Sequence, residues 1–299
     1  MKRVLISGST GLVGSTLTEN LAQWGNHVVP LVRSYEENGI FWDPDLQRID
    51  ANQLEGFDTV IHLAGEPIAN ARWNEEKKKR IHDSRVIGTR VLSEALATLK
   101  KPPKLLICAS AVGFYGDRGE TLLSEESAPG SGFLAEVVKG WEAATLPARS
   151  NGIRVVHLRF GIVLSSKGGA LAKMLTPFQM GLGGVIGTGE QYMSWIGIDD
   201  VVGVVEHVME CKKLDGPINV VSPIPVTNRV FTKTLGKVLR RPTILPMPLF
   251  AARLAFGEMV DEVMLASTRM TPTKLIETGY VFRYPQLEKA FEVAVRSSH

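Results

Sequence analysis

The sequence predicts an α/β protein: a doubly wound parallel sheet over residues 1–167 and a smaller, mostly helical C-terminal lobe over residues 168–299. Three observations lead there. Short aliphatic and β-branched runs alternate with longer segments of helical periodicity. The first run ends in glycines three apart, VLISGSTGLVG. Beyond about residue 168 the strand patterns give way to helix patterns separated by Gly- and Pro-rich turns, with later segments expected to return to the first domain.

The first run, residues 4–6, reads as a buried parallel strand, and Leu17, Leu21 and Trp24 follow at helical spacing. Gly8, Gly11 and Gly14 therefore sit at a strand-to-helix turn. There the first glycine permits a tight reversal, the second admits a pyrophosphate close to backbone, and the third allows helix and strand to pack closely. The free amides of Leu12 and Val13 and the positive end of the helix then face the phosphates. Ser9 and Thr10 stand where a dehydrogenase turn has its middle glycine, and their hydroxyls can bond phosphate or order the turn. This pattern predicts dinucleotide binding.

The next strand, residues 27–32, ends beside the adenosine ribose, about 20 positions after the glycines. An NAD site would place Asp or Glu there. This chain places Arg33 and Ser34 after Val32. A guanidinium pairs with the 2′-phosphate of NADP through charge-assisted hydrogen bonds, which predicts NADP(H). The competing reading makes Arg33 a solvated charge and gives the ribose to Glu36 or Glu37.

Residues 40–42 and 46–49 flank a Pro-Asp turn and read as a small hairpin. The strand at 59–63 ends at Ala64 and Gly65, small residues that let a cofactor pass over the sheet edge. Residues 73–99 read as one long helix or a pair, with Ile81, Val86, Val91, Leu92, Leu96 and Leu99 as its buried stripe. This helix is also where a homodimer face is expected. LLICAS is the next strand, 116–132 a polar loop, 133–145 a helix, and IRVVHLRFGIVL a strand broken at Gly161. Helix patterns follow at 170–179, 199–211, 227–239 and 250–264. Asp199 and Asp200 read as an N-cap and dipole partner, and His62 as a core histidine.

Composition narrows the function classes. The chain has 299 residues, 44% of them hydrophobic, and a net charge of +3. The basic residues are dispersed rather than striped, which argues against nucleic acid. Cys108 and Cys211 lack metal-ligand spacing, so no metal site is expected, and both read as small core hydrophobes of a reducing compartment. No run approaches the roughly 20 apolar residues of a membrane span, and no apolar leader follows Lys2 and Arg3, which predicts a cytoplasmic protein without membrane contact.

The motif order, Gly8-x-x-Gly11-x-x-Gly14, Leu63-Ala64-Gly65, Ser110 to Gly116 and Arg159 to Val163, resembles the extended short-chain dehydrogenase/reductase superfamily. HLAGEPI, SRVIGT, SAVGFYG, WEAA, GLGGVIGTGEQYMSWI and TGYVFRYPQLEKA narrow the resemblance to its atypical epimerase-family group, often named as cell-division inhibitor-like nucleoside-diphosphate sugar epimerases. The resemblance covers essentially the whole chain. It implies a Rossmann domain, NADP(H), and a substrate lobe whose substrate is unassigned. It places Val32 and Arg33 at the adenosine end, Leu63 and Ala64 under the cofactor, Arg85 near it and Ile162 beside the nicotinamide.

Superfamily chemistry rests on a serine and Tyr-x-x-x-Lys, the lysine lowering the phenol's pKa so that it transfers the proton accompanying hydride. The helix FLAEVVKGWEAA has no tyrosine. Counting back from Lys139 gives Ala135, and aligning on Glu142 gives Leu134 and Val138. Ser110, Tyr115 and Lys139 are the groups expected to compensate, with Gln191 and Trp195 as substrate contacts in the glycine-rich loop. The sequence thus predicts an NADP(H)-dependent oxidoreductase or epimerase acting on a small polar, carbonyl or sugar-like substrate. The alternative is an NADP(H)-binding sensor that acts through a partner.

Overall fold

The computed structural model describes residues 1–296. Among them eight strands form one sheet in the order β12-β8-β6-β5-β1-β2-β3-β4. The strands are β1 (Arg3–Ser7), β2 (His27–Val32), β3 (Ile40–Asp43), β4 (Arg48–Ile49), β5 (Thr59–His62), β6 (Leu105–Ala111), β8 (Arg154–Phe160) and β12 (Gly216–Val220). All neighbours are parallel except β3 and β4, the expected hairpin, where Trp42 pairs with Ile49. The fold is the doubly wound, Rossmann-like one.

Strand alternation divides the core between the two faces of the sheet. Val4, Ile6 and Ile61 pack with Leu17 and Leu21 of α1 (Leu12–Gln23) and with the valines of α6 (Ile198–Glu210). Leu5, Val60 and Leu106 face the other way, onto Leu92 and Leu96 of α2 (Glu75–Ala97) and Ala148 of α4 (Leu146–Ser150). Between α2 and α4 in sequence comes α3 (Phe133–Ala143).

The stretch read at 73–99 makes one helix rather than two, over Glu75–Ala97. Asn74 caps it by accepting the Lys77 amide at 2.7 Å, and Gly88 within it lets Trp42 approach to 3.5 Å of where a Cβ would stand. Its solvent face is charged, with Glu75, Glu76, Lys79 and Arg80 exposed.

Gly161 does break the strand, because a Cβ there would lie 2.5 Å from the Ser194 carbonyl oxygen. Beyond it, β9 (Ile162–Leu164) pairs with β11 (Trp195–Gly197), and the chain then returns to the main sheet through α6 and β12. The second lobe has its own core, where Leu171, Leu175 and Phe178 of α5 (Gly169–Gln179) meet Phe231 and Leu235 of α7 (Asn228–Leu239) and Phe291 of α10 (Leu287–Arg296). Short strand pairs bind its loops: β10 (Tyr192–Met193) with β13 (Val226–Thr227), and β7 (Leu122–Leu123) with β14 (Arg269–Met270). The polar loop at 116–132 thus contains a strand.

Two details differ from expectation. The helix expected over 250–264 is α8 (Leu249–Phe256) followed by a π-helical turn at Val260–Leu265, because Gly257 at φ +63° ends the first helix. Gly197, not an aspartate, is the N-cap of α6. Asp200 lies in its first turn, buried, where its carboxylate accepts the Arg283 amide at 2.7 Å and the Tyr284 amide at 3.1 Å. It anchors the C-terminal segment as well as complementing the dipole. α9 (Thr273–Glu277) precedes that segment. Among the described residues no helix is long and apolar enough to cross a membrane, and no cluster of metal-ligating side chains occurs.

Cys108 is fully buried, and burial pushes its thiol up to about 12. His62 and His157 are buried as well, and burial lowers each to about 4. The unfolded chain takes up these two protons first, near pH 6.5, so their contribution to stability is complete above that value and lost between pH 6.5 and 4. The melting temperature should therefore fall as pH drops from 7.5 to 5, and replacing both histidines by asparagine should flatten that fall; an unchanged slope would refute the assignment.

Candidate active site

The carboxyl edge of the sheet carries the site, and β1 is at its centre. β1 ends at Ser7, and Gly8 turns the chain at φ +69°. A Cβ at Gly8 would lie 2.9 Å from the Ala64 nitrogen, and one at Gly14 only 2.0 Å from the Gly8 carbonyl oxygen. Gly8 is therefore required by contact and by torsion, and Gly14 by contact alone.

Gly11 caps α1 without a side-chain hydrogen bond, and no acid lies in the helix's first turn. Ser15 is the residue whose amide first closes back onto the Gly11 carbonyl, at 2.8 Å. The Leu12, Val13 and Gly14 amides consequently have no intrahelical acceptor. Among the described residues the hydroxyls of Ser9 and Thr10 have no hydrogen-bond partner either. Unpaired donors at a helix's positive end make a cradle for an anion such as a diphosphate. The side chains of Leu12 and Val13 turn elsewhere, toward Gly168 and into the core shared with α6.

A cleft of about 510 Å³ runs over this turn. On the β2 side its wall is Val32, Arg33, Glu37, Trp42 and Asp45; on the β5 side it is Leu63, Ala64, Gly65, Glu66 and Ser84. The floor is pinned from below. Ser7 Oγ accepts the Leu63 and Ala64 amides at 3.1 and 3.2 Å, so its proton goes to His62 Nδ1 at 2.6 Å. His62 then carries its own proton on Nε2 and donates it to Thr89 Oγ1 at 3.0 Å.

Arg85 lies against Gly65, stacks over Trp141 and donates to the Glu66 carbonyl at 3.0 Å. Burial lowers its pKa to about 10, so it remains a cation at neutral pH. Glu66 holds the buried ammonium of Lys77 at 2.5 Å. At the other end Arg33 pairs with Asp45 at 2.5 Å, and Ser34 Oγ accepts the Glu36 amide. Ile162 lies farther along the same edge, on β9 beside Trp195.

Ser110 and Tyr115 meet in one buried network through Glu142 and Arg159, and Lys139 stays outside it. Ser110 faces α3 and donates to Glu142 at 2.6 Å. Glu142 also takes a bidentate pair from Arg159, at 2.8 and 2.9 Å. Burial alone would raise the Glu142 carboxyl, but the Arg159 hydrogen bonds and charge hold it below the usual carboxylate range. Tyr115 is fully buried; its hydroxyl accepts from Arg159 at 2.9 Å and donates to Asn219 Oδ1 at 2.7 Å. Burial raises the phenol, whereas the superfamily's catalytic tyrosine is lowered. Lys139 lies at the surface, 3.0 Å from Glu136. Where alignment on Glu142 would put tyrosine and lysine, Leu134 and Val138 pack on Gly113, whose Cβ would stand 3.1 Å from Leu134 Cβ.

Gln191 and Trp195 are likewise engaged. Gln191 Nε2 donates to the Ile186 and Met264 carbonyls at 3.1 and 3.2 Å, and Trp195 Nε1 to the Ile224 carbonyl at 3.0 Å. Sequence reasoning did not single out Arg159, Asn219 or Asp45. For Arg159 a signal existed, since an arginine at an inward strand position needs a buried acid. For Asp45 none did, because its contact arises only when β2 and β3 pair.

The buried network yields an order of effects. Glu142→Ala leaves the Arg159 cation buried without its partner and should lower unfolding free energy by about 3–5 kcal/mol. Tyr115→Phe should lower it by about 1–2 kcal/mol. Denaturant titration measures both, and equal small losses would show that the pair is not a structural anchor.

Known proteins match the chain along nearly its whole length. The NAD dependent epimerase/dehydratase family matches residues 4–221, and a domain of unknown function, DUF1731, matches residues 247–294. Epimerase family protein Mb2239 of Mycobacterium bovis is 40% identical over 293 residues, covering 97% of both chains. The human epimerase family protein SDR39U1 is 36% identical, covering 98% of this chain and 99% of its own. The crystal structure of human SDR39U1 isoform 2 with NADPH superposes with a TM-score of 0.91 at 34% identity, over 98% of this chain and 99% of that one. With its glycine turn, parallel sheet and second lobe all inside those matches, the chain belongs to the NAD dependent epimerase/dehydratase family.

Proposed function

We propose that the protein is an NADP(H)-dependent oxidoreductase or epimerase acting on a small polar, carbonyl or sugar-like substrate. The observation that carries this reading is the cleft itself. Unpaired amides and hydroxyls at the tip of α1 suit a diphosphate, Ala64 and Gly65 leave room over the sheet edge, and Arg33 offers its guanidinium at the adenosine end. The crystal structure of the human relative with NADPH supports the same choice of nucleotide. Bound NADP(H) would supply hydride chemistry. The chain's own groups hold and orient it: Leu12 and Val13 through backbone amides, Ser9 and Thr10 through hydroxyls, Arg85 through a cation beside Gly65, and Ile162 toward the nicotinamide.

A second reading has its own support. Ser110 and Tyr115 spend their hydroxyls on the Glu142–Arg159 network, and apolar Leu134 and Val138 occupy the positions of the usual dyad. These contacts favour a protein that binds NADP(H) and reports redox state to a partner. In that reading the charged outer face of α2 suits a polar contact better than an apolar homodimer seam.

Two measurements separate the readings. Arg33→Ala should weaken NADPH binding about tenfold in calorimetry and leave NADH within twofold, one charge-assisted hydrogen bond being worth about 1.5–3 kcal/mol; equal losses would remove Arg33 from the assignment. Absorbance at 340 nm, followed while carbonyls and sugars are added to protein with NADPH, should fall for a substrate of a reductase, whereas an epimerase, which returns the hydride it takes, should leave the absorbance unchanged and convert an added sugar to its epimer by NMR. Tight binding without turnover across the panel favours the sensor.

A further inference from the structure

Arg33 does not face the cleft alone. Its Nη2 donates to Asp45 Oδ2 at 2.5 Å, and both residues line the cleft wall. Among the described residues this is the one side-chain hydrogen bond Arg33 makes, so its other N–H groups remain available. Asp45 is held in place. It sits on the tip of the β3–β4 hairpin, where Asp43 Oδ1 accepts the Asp45 and Leu46 amides at 3.0 Å each, and Gln47 closes the turn at φ +52°. The pairing of Val32 with Phe41 carries the hairpin to the end of β2. The two side chains are 61% and 71% exposed, so the ion pair is weak and exchangeable.

We propose that Asp45 is a specificity-determining residue that sets how strongly the site prefers the phosphorylated nucleotide, by acting as a standing counter-ion to Arg33. The proposal rests on the reading of Arg33 as the 2′-phosphate partner. A 2′-phosphate brings between one and two negative charges to the guanidinium. It must share or displace the Asp45 carboxylate, and because the turn holds the Asp45 backbone at the cleft wall the carboxylate stays nearby as a like charge. A nucleotide without that phosphate leaves the pair intact. Asp45 therefore opposes NADPH and is neutral toward NADH, which narrows the preference that Arg33 creates.

The test is calorimetric titration of the full chain with NADPH and with NADH. Asp45→Asn should tighten NADPH three- to tenfold and leave NADH within twofold, with the gain shrinking as salt screens the exposed charges. Asp45→Glu keeps the charge and should leave the NADPH to NADH ratio within twofold of the parent. A structural role cannot produce tighter binding of one nucleotide alone. Weaker NADPH binding by Asp45→Asn, or an equal change for both nucleotides, would overturn the proposal. Arg33→Ala separates the two ideas: equal losses for both nucleotides would sink the Arg33 reading itself, whereas a selective loss alongside a neutral Asp45→Asn would sink only the role of Asp45.

Discussion

The close approach of α1 to the end of β1 is the constraint on which the carboxyl edge depends. With the Gly14 Cα set so that a Cβ would stand 2.0 Å from the Gly8 carbonyl oxygen, helix and strand meet through backbone alone. That contact directs the helix axis at the cleft and leaves its first amides unpaired at the surface. A side chain in between would move the helix tip away from the floor that Leu63 and Ala64 provide. Ser7 serves the same geometry from the other side, because one hydroxyl gathers the Leu63 and Ala64 amides and locks them to His62. The glycines create the space, and the serine and histidine fix its base.

A second constraint explains why the proton-transfer residues of the wider superfamily have no counterpart here. Between β6, β8, β12 and α3 the interior is polar, joined from Ser110 through Glu142, Arg159 and Tyr115 to Asn219. A buried arginine is tolerated when its donors are satisfied, and Glu142 and Tyr115 satisfy them. Each hydroxyl in this chain of bonds is held by its neighbours. Leu134 and Val138, on the same helix as Glu142, pack against Gly113. The network therefore holds the sheet edge to α3 and occupies the hydroxyls of Ser110 and Tyr115.

How legible the molecule was depends on the range of each interaction. Strand runs, the glycine turn, the break at Gly161 and the apolar stripe of α2 depend on neighbours in sequence, and they can be read directly. His62 as a core residue follows from its place in an apolar strand. The end of α8 escapes a periodicity reading because the apolar pattern runs on past Gly257, whose positive φ stops the helix. The sequence marks Ser110 and Tyr115 as polar groups near a strand end, but their partners come from α3, β8 and β12, dozens of residues away. Gln191 and Trp195 share that history, each bonded to backbone carbonyls that the second lobe brings up to them.

The sequence by itself determined the parallel α/β architecture, the glycine turn at the helix tip and the basic residue at the end of β2, since each arises from periodicity, backbone freedom or charge within a short stretch. Only the tertiary structure decided which polar side chains remain available to a ligand. Availability is a matter of hydrogen-bond partners, and those partners reach Ser110, Tyr115 and Arg33 from other elements of the sheet domain and Gln191 from the Met264 carbonyl of its own lobe, at separations no local pattern encodes.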